Sequence, residues 1–156
     1  MALLFKFLHI ASVLWFVSGA LLIQALAIIR SRSQHLVVVA AAQRAIAVAN
    51  RIFVLTGFLL VLTFGLATAI AEQRDLLQPS WLSAAVLLFV IAAIPGLAYH
   101  LPASRRITRL IEAASRQGQI TPGLRTAIQS PLLMWMGYFQ IALFIIILAL
   151  MVFKPF

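Results

Sequence analysis

Leu8-His9-Ile10-Ala11-Ser12-Val13-Leu14-Trp15-Phe16-Val17-Ser18-Gly19 sets one ionisable imidazole in a run that is otherwise almost wholly apolar. The run reaches from about Leu3 to Ile29. At 1.5 Å per residue such a helix is about 40 Å long, enough to cross a bilayer with some tilt. His9, Ser12, Phe16, Gly19 and Ile23 fall on one side of that helix. The side therefore carries one ligand-capable group, an aromatic ring below it and small residues that admit a neighbour. A histidine in hydrocarbon is costly unless it faces the bundle interior and finds a partner, which makes His9 a candidate functional residue. A plain hydrogen bond to a neighbouring helix satisfies the same ring, and both readings stay open here.

The rest of the chain repeats the pattern. Of 156 residues, 64% are hydrophobic and 10% charged, against about half and a quarter in soluble domains. The hydrophobicity lies in four long runs, so the chain reads as one all-α membrane domain, a four-helix bundle spanning about 3–29, 52–71, 81–101 and 131–153. A formal charge of +9 first suggests nucleic acid, but the bases sit in loops beside the spans. Orientation and contact with anionic lipid account for them, and no nucleic-acid partner is expected. Cysteine is absent, which excludes disulfides and thiolate metal sites.

In chain order, Lys6, the first apolar run and Ala25-Leu26-Ala27 are similar to a secretory leader, but the run exceeds a normal leader core and reads as a retained span. Arg30-Ser31-Arg32-Ser33-Gln34-His35 marks a membrane exit, with His35 solvated or at the headgroups. Residues 36–49 are Ala- and Val-rich and can continue as helix into the second span, with Asn50 and Arg51 at its mouth. Gly57 and Gly65, with Thr56, Thr63 and Thr68, suit close helix contact, within one chain or in a homo-oligomer. Pro79-Ser80-Trp81 opens the third span, Trp81 serving as an interfacial anchor. Pro95-Gly96 predicts a kink, and Tyr99-His100 closes the span. Ile107, Leu110, Ile111 and Ala114 then share one face, opposite Arg105, Arg106, Arg109 and Arg116. This pattern predicts an amphipathic helix on the cytoplasmic membrane surface, ending near Gly118. Thr121-Pro122 predicts a capped short helix through Gln129.

Arg30, Arg32, Arg44, Arg51, Arg105, Arg106, Arg109, Arg116 and Arg125 lie on one side of this arrangement, and Lys6, Arg74 and Lys154 on the other. The positive-inside rule turns the first group to the cytoplasm and both termini outward, as in a bacterial inner membrane. His9 then lies near the outer face and His100 at the inner end of the third span, about 20 Å apart in height. They cannot meet one iron from opposite faces. His100 with Met134 is a second conceivable ligand pair. Arg51 with Asn50 suits a carboxylate or phosphate, and equally a snorkelling arginine. Gln24 and Gln140 read as interhelical glue. Glu72, Asp75 and Glu112 all fall in or beside loops, so any redox chemistry must come from a bound cofactor.

Leu8-His9-Ile10 followed by Trp15-Phe16 and Gly19, Trp81, Tyr99-His100 and the terminal Lys154-Pro155-Phe156 resemble the HemJ family of small membrane proteins. The run from His9 through Trp15 to Gly19 is also similar to the CopD copper-resistance membrane domain. The nearest overall likeness is to a bacterial family of predicted integral membrane proteins of unknown function. HemJ proteins are haem-b-binding protoporphyrinogen oxidases. That resemblance implies haem b, a porphyrin or quinone partner, and His9 and His100 at the positions of the family's intramembrane histidines. Trp15, Phe16, Gly19 and Arg51 complete the expected cofactor environment. The lysine that HemJ proteins carry within the third span has no counterpart between Trp81 and Tyr99. Gln129-Ser130-Pro131 stands where they carry an Asn-Glu pair. Three functions follow as expectations: a haem-b membrane protein in porphyrin oxidation or electron transfer, a non-catalytic subunit of a larger membrane complex, or a copper-handling module.

Overall fold

The computed structural model describes residues 1–73 and 81–154. Arg74, Asp75 and Gln78-Pro79-Ser80 of the second loop, and the terminal Pro155-Phe156, lie outside the described residues. Seven α-helices follow in order: α1 Ala2–Arg32, α2 Leu36–Ala49, α3 Thr56–Ala71, α4 Trp81–Pro95, α5 Leu101–Gln117, α6 Pro122–Ile128 and α7 Pro131–Phe153. A π-helical turn at Asn50–Leu55 joins α2 to α3, and a second at Gly96–His100 joins α4 to α5. Four continuous helical stretches are long and apolar enough to cross a membrane. No more than 22% of each apolar window is buried inside the bundle. The rest, including Leu14, Leu87 and Ile145, needs a hydrocarbon surround. The chain is a multi-pass integral membrane protein in contact with lipid.

The first pair is an antiparallel hairpin held in register along its whole length. Phe16 meets Gly57, Gly19 meets Phe53, and Arg30 meets Gln43. Glycine is required at these crossings: a Cβ at Gly57 would stand 3.0 Å from the Phe16 Cα, and one at Gly19 would overlap the Phe53 side chain. α4 runs parallel to α1 and antiparallel to α7. Gln140 Nε2 on α7 donates to the Ala92 carbonyl at 2.9 Å, and Lys154 lies over the Trp81 ring. The expected break at Pro95-Gly96 takes the form of the second π turn. The ring removes one backbone donor, and the helix widens just beyond it.

Two layers hold the assembly. At mid-depth Phe16, Phe58, Phe89 and Phe144, one from each span, pack ring against ring with centroid separations from 5.1 to 6.0 Å, Phe58 and Phe89 stacked and Phe144 edge-on to Phe16. At the end bearing the arginine-rich loops, hereafter the basic end, Val39, Ile107, Ile111, Ala114, Leu124 and Ile128 form one buried cluster. The expected surface helix is not confirmed. The stripe of Ile107, Ile111 and Ala114 is there, but α5 continues the third span as one helical stretch. Its buried Ile107, Ile111 and Ala114 pack on α2 and α6. Thr121 caps α6 by accepting from the Leu124 amide, Gly118 ends α5 with φ 70°, and Arg125 donates to the Ser33 carbonyl and to Gln34, each at 2.8 Å. Short connections and this ion-to-carbonyl contact fold the basic-end loops into a small helical cap.

Candidate functional site

His9 turns toward α3. Its Nδ1 lies 3.2 Å from the Val61 carbonyl, which becomes the ring's hydrogen-bond acceptor. The ring rests on Gly65, where an added Cβ would come within 3.0 Å of Cε1. No described residue bonds Nε2. A carbonyl accepts and never donates, so Nδ1 is the donor here, and in the neutral ring Nε2 keeps its lone pair. Just outside the ring, Lys6 Nζ and Glu72 Oε1 close the α1–α3 pair at 2.5 Å. The helix-side stripe read from sequence is therefore an inward-facing one: Ser12, Phe16 and Gly19 are buried below His9.

Of the other residues expected around a cofactor, Trp15, Phe16 and Gly19 make contacts between helices. Trp15 stacks on Phe53 at 4.6 Å, and its indole donates to the Ile52 carbonyl at 3.2 Å and to Thr56 Oγ1 at 3.3 Å. Ile52 lies in the first π turn, where widening releases carbonyls from their usual partners, and the indole satisfies one of them. Phe16 belongs to the aromatic layer, and Gly19 admits Phe53. Arg51 is exposed on the first π turn, about ten residues along the helix from Val61.

His100 is remote from His9. It ends the second π turn at the basic end, within electrostatic range of Arg30, and its Nε2 is buried without a hydrogen-bond partner. His9 and His100 do not come together, and among the described residues no three His, Cys, Asp or Glu side chains converge. Near His100, Arg30 is 6% exposed and bonds Gln43, whose Nε2 in turn donates to Ser104 Oγ at 2.9 Å and to Thr108 Oγ1 at 3.2 Å. Sequence reasoning counted Arg30 among the loop bases. The signal it missed is that Arg30 stands three heptads after His9, which returns it to the same inward face. An open cleft of about 420 Å³ also lies at this end, with Tyr99, Arg106, Thr126 and Ser130 among its walls.

A family model described as predicted integral membrane protein, DUF2269, matches residues 3–155. The chain belongs to that family. The family description carries membrane embedding and no activity, in keeping with the four apolar stretches above. No curated protein and no solved structure gives a significant match.

Haem b, implied by the resemblance, can be tested against these residues. The His9 imidazole has the tautomer and the restrained orientation that axial ligands show. On α7, Gly137 faces Gln24 and Phe144 faces Phe16. The same seven-residue step along α7 reaches Met151 at about the depth of His9. Gly65 on α3 and Ser83, Ala84 and Ala85 on α4 make the side chains of that layer small. His9 is the residue of this end with a nitrogen that would hold a haem iron, while His100 and Arg51 stand apart from it along the helices.

Proposed function

We propose that this membrane protein holds one haem b near the end of the bundle that carries its termini. His9 is its iron ligand, Met151 its second, and its work is electron transfer or porphyrin oxidation. The observation that carries the reading is the His9 Nδ1 contact with the Val61 carbonyl. It holds the half-buried ring by one nitrogen and leaves the other without a described partner, within reach of a metal. When bound, haem supplies one-electron chemistry that no side chain of this sequence offers. The chain's own residues do the rest. Val61 fixes the tautomer, Gly65 gives the ring its seat, and the aromatic layer of Phe16, Phe58, Phe89 and Phe144 closes the site from below and keeps water out.

Detergent-purified protein from cells supplied with a haem precursor tests this. The expected result is a Soret band at one haem per chain. It is lost in His9→Ala and retained with an altered ferric spectrum in Met151→Leu. A colourless protein with stoichiometric copper would replace the reading with copper handling. A colourless, metal-free protein that purifies only with other membrane subunits would replace it with a non-catalytic role.

A further inference from the structure

Among the described residues, the buried side-chain polar atoms with no hydrogen-bond partner are Gln24 Nε2, Arg30 Nε and His100 Nε2. Buried polar groups are nearly always paired, so three orphans in one region call for an explanation. All three are nitrogens, and each can donate. They lie at the same end of the bundle, within about two helical turns in depth. Arg30 bonds Gln43, which bonds Ser104, and Ser104 follows His100 by one helical turn. Gln24 precedes Arg30 by six residues on α1, about 9 Å along the axis, where it packs on Gly137 of α7.

The charge balance points the same way. Arg30 is 6% exposed, and neither described carboxylate is at hand: Glu72 bonds Lys6 at the far end, and Glu112 is exposed on α5. The Gln43 oxygen that Arg30 touches is neutral. A buried water offers two lone pairs and no charge, and leaves the guanidinium uncompensated. An oxyanion offers several acceptor atoms together with the missing negative charge.

We propose that Arg30, His100 and Gln24 form a buried site for a single oxyanion group, a phosphate or a carboxylate, at the basic end between α1, the second π turn and α7. Its source is either an anionic lipid headgroup or a free anion. The site is independent of the haem reading, because Arg30 stands 21 residues from His9 on the same helix, about 31 Å away.

The whole protein in nanodiscs of phosphatidylcholine alone, titrated with inorganic phosphate and with acetate at constant ionic strength, reads the free-anion arm by calorimetry. Native mass spectrometry from discs containing phosphatidylglycerol reads the lipid arm. The expected result is saturable binding at one per chain in either arm. Arg30→Gln and His100→Ala each weaken it about tenfold or more, while Arg51→Gln, which removes an exposed charge, leaves it within about twofold. Binding in the first arm identifies a free anion; retention of one phosphatidylglycerol without phosphate or acetate binding identifies a lipid. Should Arg30→Gln fail to fold, His100→Ala and Gln24→Leu make the same comparison. A cooperatively melting wild type that binds neither anion nor the lipid overturns the proposal, as does binding that the variants leave unchanged.

Discussion

Gly65→Ala separates the seat of His9 from the general packing of the bundle. An alanine Cβ there would meet His9 Cε1 at 3.0 Å and Nδ1 at 3.2 Å, against an ordinary contact beginning near 3.4 Å. The ring must retreat by a few tenths of an ångström, and its 3.2 Å bond to Val61 stretches toward the limit of hydrogen bonding. Losing that bond costs roughly 0.5–1.5 kcal/mol, while replacing glycine in a helix returns about 1 kcal/mol. The two nearly cancel, so the melting temperature should move by no more than a few degrees. Ligation responds differently. Removing the partner that orients a ligating histidine costs about 10- to 100-fold in metal affinity. Gly57→Ala is the contrast, since its new Cβ would stand 3.0 Å from a backbone atom of Phe16, which cannot swing aside. The helices must part, at about 1–3 kcal/mol. The assay is haem content by absorbance beside thermal melting, both in one detergent. Full haem retention in Gly65→Ala, or loss only in step with its melting temperature, would refute the argument.

Other outcomes follow from the same contacts. Leu124→Ala, at a fully buried position of the basic-end cluster, should cost about 2–5 kcal/mol in a denaturation assay and leave the haem spectrum unchanged. Trp15→Phe keeps the stack on Phe53 but removes the indole donor from the Ile52 carbonyl, and should cost about 1 kcal/mol without altering haem content. Gln43→Leu strips Arg30 of its one hydrogen-bonded partner among the described residues and should destabilise by about 1.5–3 kcal/mol, measured by the same melt. The cysteine-free chain suits labelling: single-cysteine variants at Gln34 and Gln119 should react from one side of the membrane and one at Lys154 from the other, with the first pair cytoplasmic.

Helix content and span number were legible because apolar runs of this length admit few alternatives, and the positions of Pro122, Gly118 and Thr121 marked the small helices correctly. What the sequence withheld was partnership. The stripe of Ile107, Ile111 and Ala114 is equally a lipid-facing or a protein-facing surface until α2 and α6 are seen against it, and Val39 is some seventy residues away in the chain. The two π turns leave no mark in composition, since widening a helical turn shifts a hydrogen bond without demanding a particular residue. Trp15 is a cofactor neighbour only through the resemblance, and its donation to the Ile52 carbonyl of the first turn has no counterpart in the sequence pattern. Arg30 follows the last apolar residue of the first run, Ile29, so composition alone places it with the loop bases. The helix runs on to Arg32, and packing against α2 draws the guanidinium inside.

The visible spectrum of the purified wild type beside His9→Ala tests the central claim most directly. The account predicts a haem b spectrum in the first and its absence in the second, with both proteins melting cooperatively. A wild type without pigment, or an alanine variant that keeps the full Soret band, would contradict it.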